Sequence, residues 1–498
     1  MTERSGGVLL HISSLMGPYG TGCFGKDALR FIDFLEKAGF QAWQVLPFTV
    51  PDACNSPYKS VSAFAGNPYF IDPEQLYESG LITGAELNLC RTDSPYLVDF
   101  PTLKKQREKL FTSAFGRVDA ALRKKIDGWR AEQPWVEDFA LYTALQQESG
   151  KDWADWEPAL AKREEKALAE ARKRLQKEID RTVFLQYIFF TQWQKIRAYA
   201  NKKGVAIIGD MPIYVSYESA DLWSHQELFD LDERGKPTAE AGVPPDYFSE
   251  NGQRWGNPLY NWNAMKQDGY RWWIERIKHA TSLFDKVRID HFRAFSAYWA
   301  VPLDAETAKE GKWIPGPGMD FFNVLFEQID RDCLIAEDLG IRDAALEQLL
   351  EESRLPGMRV LQFAFPGQDN GMHLPHNYLP NTVAYTGTHD NNTLLGYLWE
   401  LKPEERRYCL DYCGYTGETW KDGGADNPAI FAILRTLWGC TAKLAIVPVQ
   451  DLLGYGGDTK MNHPGVAEGN WGYRLTETAF NQLKPALYRK YLKLYNRL

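Results

Sequence analysis

The chain has 498 residues, 44% of them hydrophobic, which is enough for one large domain or for two or three average ones. Its 57 Lys and Arg against 66 Asp and Glu give a net charge of −9, which argues against nucleic acid as a partner. No stretch approaches the roughly 18 apolar residues of a membrane span. The N-terminus lacks the apolar core of a signal peptide, and the seven scattered cysteines are typical of free thiols. We therefore expect a soluble cytoplasmic protein with no nucleic-acid or membrane partner.

Strand and helix patterns alternate along the chain. Strand candidates begin near residues 7, 41, 205, 286, 333, 358, 382 and 443, and helical patterns separate most of them. The second strand is predicted over residues 41–48 and the eighth over residues 443–453. A strand, a helix and a strand in succession imply parallel pairing. Eight such strands predict an α/β fold of the (β/α)₈ TIM-barrel type, which needs roughly 250 residues.

The chain is longer than such a barrel requires, so we expect insertions. Residues 50–200, an aromatic loop followed by mostly helical patterns, are predicted to form an insertion subdomain between the second and third strands. Residues 240–262, rich in Gly, Pro and aromatic residues, are predicted to form a long lid loop after the third strand. Residues 1–498 are thus interpreted as one barrel, with helical and loop insertions at the C-terminal face of the strands.

Acidic residues follow the predicted strands closely. Asp210, Asp290, Glu337 and Asp390 fall near the C-terminal ends of the third, fourth, fifth and seventh strands. In a barrel of parallel strands those ends meet at one mouth, where active sites lie. Arg288 precedes Asp290 by two residues, so their side chains share one face of a strand. The sequence therefore predicts a cluster of carboxylates with an arginine at the mouth of the barrel.

Two carboxylates that face one bond are the usual means of glycoside cleavage. In a retaining enzyme one of them is ionised and attacks, while the other is protonated and donates its proton. The charge of Arg288 favours the ionised form of Asp290, which suits a nucleophile. No cation adjoins Glu337 in sequence, and burial beside a negative charge is expected to raise its pKa, which suits a proton donor. Asp390 and His389 are candidates for binding sugar hydroxyls.

Other interpretations stay open at this point. Arg288 and Asp290 could form a structural ion pair. Glu337 and Asp338 could bind a metal or form salt bridges, and His389 could be a core imidazole. An enolase-type enzyme would bind Mg²⁺ through strand-end acids, but Arg288 would compete with the metal. A protein that only binds sugar would need the loop aromatics but not the acids. Neither a phosphate loop nor zinc-type spacing is present, so no cofactor and no metal are predicted.

A set of short motifs occurs in order from about residue 7 to about residue 475. They are Trp43-Gln-Val-Leu-Pro47, Ser56-Pro-Tyr58, Gly209-Asp-Met-Pro-Ile-Tyr214, Arg288-Ile-Asp-His-Phe-Arg293, Ala336-Glu-Asp-Leu-Gly340, Thr388-His-Asp-Asn-Asn-Thr393, Met461-Asn-His-Pro-Gly465 and Gly469-Asn-Trp471. Each is weak alone, but the set is specific. Together they resemble the 4-α-glucanotransferases, also called amylomaltases or disproportionating enzymes, which are related to the α-amylase superfamily.

The resemblance implies an enzyme of glycogen or starch metabolism that needs no cofactor. It would transfer a segment of a 1,4-α-glucan to the 4-hydroxyl of glucose or a maltooligosaccharide by a retaining double displacement. Asp290 would be the nucleophile, Glu337 the acid/base and Asp390 the stabiliser of the transition state. The substrate-binding residues that it implies are Ser56, Tyr58, Asp210, Tyr247, Phe248, Trp255, Arg288, His389 and Asn462. The acids alone would also serve a retaining α-glucan hydrolase, which stays the alternative.

Overall fold

A computed structural model describes residues 4–51, 54–92, 95–245, 249–366 and 371–498. The strands in these ranges are β1 (Ser5–Leu9), β2 (Ala42–Gln44), β3 (Ala206–Met211), β4 (Ala239–Val243), β5 (Gln253–Pro258), β6 (Lys286–Ile289), β7 (Ala297–Pro302), β8 (Lys312–Pro315), β9 (Leu334–Ala336), β10 (Gly357–Val360), β11 (Thr382–Tyr385) and β12 (Leu444–Pro448).

The α-helices in the same ranges vary from a single turn to 27 residues. They are α1 (Lys26–Ala38), α2 (Pro73–Glu78), α3 (Gly84–Asn88), α4 (Phe100–Phe115), α5 (Ala120–Ala131), α6 (Trp135–Ser149), α7 (Pro158–Ala161), α8 (Glu165–Arg174), α9 (Gln176–Lys202), α10 (Ala220–Ser224), α11 (Trp262–Gln267), α12 (Arg271–Leu283), α13 (Gly318–Phe326), α14 (Ala344–Ser353), α15 (Leu394–Glu400), α16 (Pro403–Tyr412), α17 (Pro428–Gly439), α18 (Val449–Leu452), α19 (Glu477–Phe480) and α20 (Pro485–Leu494).

Eight parallel strands form the central sheet. Their order is β10, β11, β12, β1, β2, β3, β6, β9. The first strand of the chain, β1, pairs with both β2 and the last strand, β12. The two edge strands, β9 and β10, approach each other, and the Ala336 N–H donates to the Pro356 carbonyl at 2.9 Å. The sheet is therefore a nearly closed (β/α)₈ barrel, and the predicted fold class is confirmed.

The barrel strands are short apolar runs that are buried along their whole length in β11 and β12, because helices cover the outer face of the sheet. Helix α1 shows how the chain returns to the sheet. It buries Phe31, Ile32 and Leu35 and ends at Gly39, whose φ of 83° is a left-handed conformation that glycine adopts without strain. The strands and their helices share one hydrophobic core.

The strands end earlier than their sequence patterns predict. The second strand, predicted over 41–48, stops at Gln44, and the eighth, predicted over 443–453, stops at Pro448 and continues as α18. The residues beyond each strand remain buried, so their apolar pattern continues although the backbone has left the sheet. These turns at the strand ends bring side chains over the mouth of the barrel.

Between β2 and β3 the described chain contains α2 to α9. Helix α9 packs against α5 and α6 and against the barrel helix α1. The indole N–H of Trp193, on α9, donates to the Leu283 carbonyl at the end of α12 (3.0 Å). The helices of this region are thereby fixed to the outside of the barrel.

Residues 240–262 do not form the single loop that was predicted. They contain β4 and β5, which form an antiparallel sheet with β7 and β8 in the order β5, β4, β7, β8. The connections that follow β3 and β6 thus build one sheet together. Glycines and prolines hide the strands in the sequence; at Gly242 a side chain would meet the Gln253 carbonyl oxygen at 2.3 Å, so close pairing requires glycine there.

None of the helices in the described ranges is both long enough and apolar enough to cross a membrane.

Candidate active site

A cavity of about 990 Å³ opens at the C-terminal ends of the barrel strands. The predicted site residues that line it are Ser56, Tyr58, Trp255, Arg288, Asp290, Glu337, His389, Asp390 and Asn462. Asp210 lies beneath them, with its side chain fully buried. Tyr247 and Phe248 lie outside the described residues. The structure therefore brings together every predicted site residue that it describes.

Asp290 follows the last residue of β6 and is held by Arg288 on the same strand. Arg288 Nη2 contacts Asp290 Oδ1 at 2.9 Å, and Arg288 Nη1 donates to both carboxylate oxygens of Asp210 at 2.8 Å. The arginine side chain is 5% exposed, so pairing with two carboxylates compensates the burial of its charge. The Asp290 side chain is 27% exposed. The ion pair therefore fixes the direction of a carboxylate that reaches the cavity.

Glu337 follows β9 directly and is almost fully buried. Its two carboxylate oxygens accept hydrogen bonds from the backbone N–H groups of His291 (2.7 Å) and Leu339 (2.8 Å). Burial raises the pKa of Glu337 to about 7; the Arg288 charge opposes this increase and the Asp290 charge adds to it. Glu337 therefore keeps its proton up to neutral pH. It can donate this proton in the same cavity in which Asp290 presents an ion-paired carboxylate.

The protonation of His389 follows from its partners. The hydroxyl of Tyr58 donates its hydrogen to Asp210 at 2.8 Å, so the Tyr58 oxygen accepts from His389 Nδ1 at 3.2 Å. His389 Nε2 lies 3.3 Å from Asp390, which as a carboxylate can only accept. Both contacts therefore favour the form of His389 that carries hydrogen on both ring nitrogens. Burial disfavours this cation, but the Asp390 charge outweighs burial and raises the pKa of His389.

Asp390 is ionised for the complementary reason. Burial acts to raise its pKa, but the charge of His389 and the hydrogen bonds from His389 and from Asn462 Nδ2 (2.7 Å) outweigh burial and lower the pKa to about 2. Asp390 and His389 therefore form a second pair of opposite charges in the cavity, in addition to Asp290 and Arg288. A site of this kind is organised before any substrate binds.

Aromatic rings form two groups in the cavity. The Trp255 ring, on β5, meets the His291 ring edge-on with the centroids 4.9 Å apart. Elsewhere in the cavity, Tyr58 stacks on His389 at 4.7 Å, and the Trp471 ring lies 5.8 Å from Tyr58. Flat apolar faces beside hydrogen-bonding groups suit sugar rings, which carry C–H groups on their faces and hydroxyls at their edges.

His291 and Trp471 line the cavity but are absent from the predicted site. Both belong to motifs visible in the sequence, since His291 follows Asp290 and Trp471 ends the run Gly469-Asn-Trp471. Their φ angles are 50° and 65°, a conformation that residues other than glycine rarely adopt. Their positions beside an acid and within a motif could have indicated that His291 and Trp471 belong to the site. The backbone conformation that orients each ring could not be predicted from the sequence.

A (β/α)₈ barrel that presents an ion-paired carboxylate, a protonated carboxyl group and aromatic rings in one cavity has the features of an enzyme that cleaves or transfers glycosidic bonds. Comparison with known proteins agrees. A family model described as 4-alpha-glucanotransferase matches residues 10–479. The chain is 42% identical to the 4-alpha-glucanotransferase of Aquifex aeolicus over 497 residues, which cover 99% of both proteins. It is 43% identical to that of Thermus thermophilus over 487 residues, which cover 95% of both.

Among solved structures, the amylomaltase from Streptococcus agalactiae in complex with acarbose matches with a TM-score of 0.95 at 38% identity, over 99% of this chain and 100% of that one. The chain therefore belongs to the 4-α-glucanotransferase family. The predicted family and enzyme class are confirmed.

Proposed function

We propose that the cavity transfers a segment of a 1,4-α-glucan from a donor chain to the 4-hydroxyl of glucose or a maltooligosaccharide by two displacements at one carbon. One observation carries this proposal: the same cavity contains two carboxyl groups in different states. Asp290 forms an ion pair with Arg288, while Glu337 retains a proton near neutral pH. The family assignment supports an α-glucan substrate, and the Streptococcus agalactiae amylomaltase binds acarbose.

In the first displacement an oxygen of Asp290 bonds to the anomeric carbon while the bond from that carbon to the leaving chain breaks. Glu337 gives its proton to the oxygen of the leaving chain, which departs as an alcohol. Asp390 and His389 bind hydroxyls of the sugar beside the cleaved bond, and the negative charge of Asp390 stabilises the positive charge that develops on the ring. Asp210 acts through Arg288 and Tyr58, because its oxygens already accept from both.

In the second displacement Glu337 takes the proton from the acceptor hydroxyl, whose oxygen attacks the anomeric carbon and releases Asp290. The covalent intermediate makes this reversal of roles easier. Asp290 is then an uncharged ester, so it no longer contributes the negative charge that helps to raise the pKa of Glu337. One residue can thereby serve as acid in the first step and as base in the second.

Transfer to a sugar requires a site that binds the acceptor and excludes water, because water greatly outnumbers any sugar. We assign this task to Trp255 on β5, which lines the cavity beside His291. Tyr247 and Phe248 are proposed to bind the acceptor as well. Asn462 and Ser56 are proposed to shape the acceptor site through their hydrogen bonds with Asp390 and with the Tyr58 amide. Without such a site the same acids would hydrolyse the glucan.

Product analysis with maltotriose tests the proposal. Transfer yields glucose and a ladder of longer maltooligosaccharides, with little net rise in reducing ends. If reducing ends increase in step with substrate loss, the protein is a retaining α-glucan hydrolase. If maltotriose binds but no product appears, the cavity only binds sugar.

We propose that the reaction takes place in the cytoplasm. In the part of the chain that the structure describes, no disulfide joins two cysteines, which supports the reducing conditions of the cytoplasm. Chains derived from glycogen or starch carry the 1,4-α linkage and are the proposed donors, and neither nucleic acid nor a membrane is proposed as a partner. Fractionation of cells followed by activity assay of each fraction tests the location.

A further inference from the structure

The barrel is least complete beside the proposed proton donor. On one side β9 pairs with β6, and the chain continues this ladder past the strand end: the Glu337 N–H donates to the Ile289 carbonyl (3.1 Å) and the Phe292 N–H donates to the Glu337 carbonyl (3.0 Å). On the other side β9 faces β10 without pairing as a strand. The Ala336 N–H donates to the Pro356 carbonyl (2.9 Å), but the backbone hydrogen bonds of Glu337 itself run to the β6 side, so its support toward β10 comes from its neighbours in the chain.

The carboxylate of Asp338 bridges that gap. It is 1% exposed, and its Oδ1 accepts from the backbone N–H of Met358 on β10 at 2.6 Å. Its Oδ2 contacts Arg359 Nη1, also on β10, at 3.1 Å, and Arg342 Nη1 in the connection that follows β9. Two arginines and an amide compensate the burial of this charge. The side chain thus continues the link between β9 and β10 beyond the main-chain hydrogen bond from Ala336 to Pro356, at the mouth of the barrel.

The packing around Asp338 leaves little room for another position of its carboxylate. Gly357, the first residue of β10, lies against it: a Cβ added there would meet Asp338 Oδ2 at 2.7 Å and Oδ1 at 2.9 Å. Gly357 does not have a left-handed backbone, so the reason for glycine at this position is space and not conformation. An alanine at 357 would move the carboxylate while leaving its charge in place.

We propose that Asp338 is a positioning residue of the transfer reaction: by joining the residue after Glu337 to β10, it holds the Glu337 carboxyl group where it exchanges its proton with the glycosidic and acceptor oxygens. The inference rests on the proposed function of Glu337. The Leu339 N–H, which donates to Glu337 Oε1, lies one residue beyond Asp338, so the same anchor fixes one of the two hydrogen bonds to the carboxyl group itself.

The test compares two reactions of the same enzyme, one that needs Glu337 and one that does not. Maltotriose needs protonation of its leaving oxygen and deprotonation of the acceptor. α-Maltosyl fluoride with azide needs neither. Asp290 bonds to the anomeric carbon as the C–F bond breaks and fluoride leaves, and a terminal nitrogen of azide then bonds to that carbon as the Asp290 oxygen leaves. The product is maltosyl azide.

The variants are Asp338→Asn, which removes the charge, and Gly357→Ala, which displaces the carboxylate. Each is expected to reduce kcat for maltotriose by roughly 10–100-fold, as for a misplaced catalytic group. Maltosyl azide formation from the fluoride is expected to fall less than about threefold, since the reacting residue Asp290 is untouched. The two variants disturb the same contact in different ways, so the inference stays testable if one of them does not fold.

Asp285→Asn is the matched control. Asp285 accepts from the backbone N–H of Ile207 on β3 (2.7 Å) and pairs with Arg197 (2.8 Å), so it joins two elements as Asp338 does, but at the opposite end of β6. Its loss should lower thermal stability and leave the ratio of the two rates unchanged. The inference is overturned if folded Asp338→Asn and Gly357→Ala reduce both reactions by the same factor, or reduce neither. Failure of the wild type to transfer from maltotriose would instead contradict the proposed function.

Discussion

The parallel barrel and the antiparallel sheet both reach the cavity, but they contribute different chemistry to it. The barrel brings Asp290 and Glu337 from the ends of β6 and β9, where ion pairs and backbone N–H groups fix both carboxyl groups. The antiparallel sheet brings the indoles of Trp255 and Trp313 on β5 and β8. The carboxyl groups can break and form bonds, while the indoles can only bind the sugar and cover it from water.

The two regions therefore determine different properties of the enzyme: the barrel determines whether a bond is broken, and the sheet determines which molecule receives the glycosyl group. Charged groups that act on a reacting bond must be positioned closely, and they lie on short strands that pack against a large core. Trp255, the residue proposed to bind the acceptor, lies on a separate sheet, which is built from the connections after β3 and β6 and can change without moving the acids. Losing a barrel carboxylate should therefore abolish turnover, whereas losing a ring of the sheet should redirect it.

The largest effect is expected at the nucleophile. Asp290→Ala removes the oxygen that bonds to the anomeric carbon, so turnover of maltotriose should fall by about 10⁴-fold or more. Circular dichroism should show an unchanged fold, because the Asp290 side chain is partly exposed and Arg288 keeps its pair with Asp210. Substantial remaining activity in a pure preparation would exclude Asp290 as the nucleophile.

The next largest effect concerns the proton donor. Because the pKa of Glu337 is raised to about 7, wild-type activity should decline as pH rises through 7 and the donor loses its proton. Glu337→Gln cannot donate, so its rate should fall by about 10²–10⁴-fold and the alkaline decline should disappear. A variant that keeps the alkaline decline would show that another group titrates there.

Glu337→Gln, which lowers the rate, should increase the stability of the protein relative to wild type at neutral pH. The pKa of Glu337 is about 7 in the folded protein and about 4.3 when unfolded, so the folded state binds the proton more tightly. Wild-type stability is then lost progressively as pH rises from about 4 to about 7, by roughly 4 kcal/mol in total. The amide introduced by Glu337→Gln does not titrate, so urea denaturation should show this variant gaining stability relative to wild type between pH 4 and pH 8. A difference that is constant with pH would mean that the carboxyl group is not buried with a raised pKa.

How far the sequence predicts this site depends on the kind of feature. The strand-end acids were predictable, because each follows an apolar run and the ends of parallel strands converge. The contact between His389 and Tyr58 was not, since Tyr58 lies 331 residues away along the chain. The bridge from Asp338 to β10 was equally hidden: the sequence allows a metal or salt-bridge role, and the structure shows the salt bridge.

The antiparallel sheet shows most clearly what could not be predicted from the sequence. Its strands β4 and β5 contain glycines and prolines that read as loop, and their partners β7 and β8 come from a different connection of the barrel. Strand propensity depends on what a segment packs against, which a single sequence does not contain. The aromatic residues of this region could be predicted as part of the site, but the sheet that orients them could not.

The smallest effect, and the one that decides whether the sheet directs the outcome, is expected for Trp255→Ala. An aromatic ring that stacks on a sugar contributes about 1 kcal/mol, so acceptor binding should weaken by roughly five- to tenfold. The acids are untouched, so formation of the glycosyl-enzyme should continue, but water should intercept more of it. The measurement is the ratio of glucose and reducing ends to longer maltooligosaccharides formed from maltotriose.

Trp399→Ala is the control for that measurement, because Trp399 is 49% exposed, lies on α15 and is outside the cavity lining. It should leave the ratio of transfer to hydrolysis unchanged. If Trp255→Ala instead lowers formation and transfer together without a rise in hydrolysis, the ring supports donor binding or the fold of the sheet and not the exclusion of water. A ratio that shifts in Trp255→Ala alone would place the choice between transfer and hydrolysis on the antiparallel sheet, since the barrel carboxylates are identical in both variants.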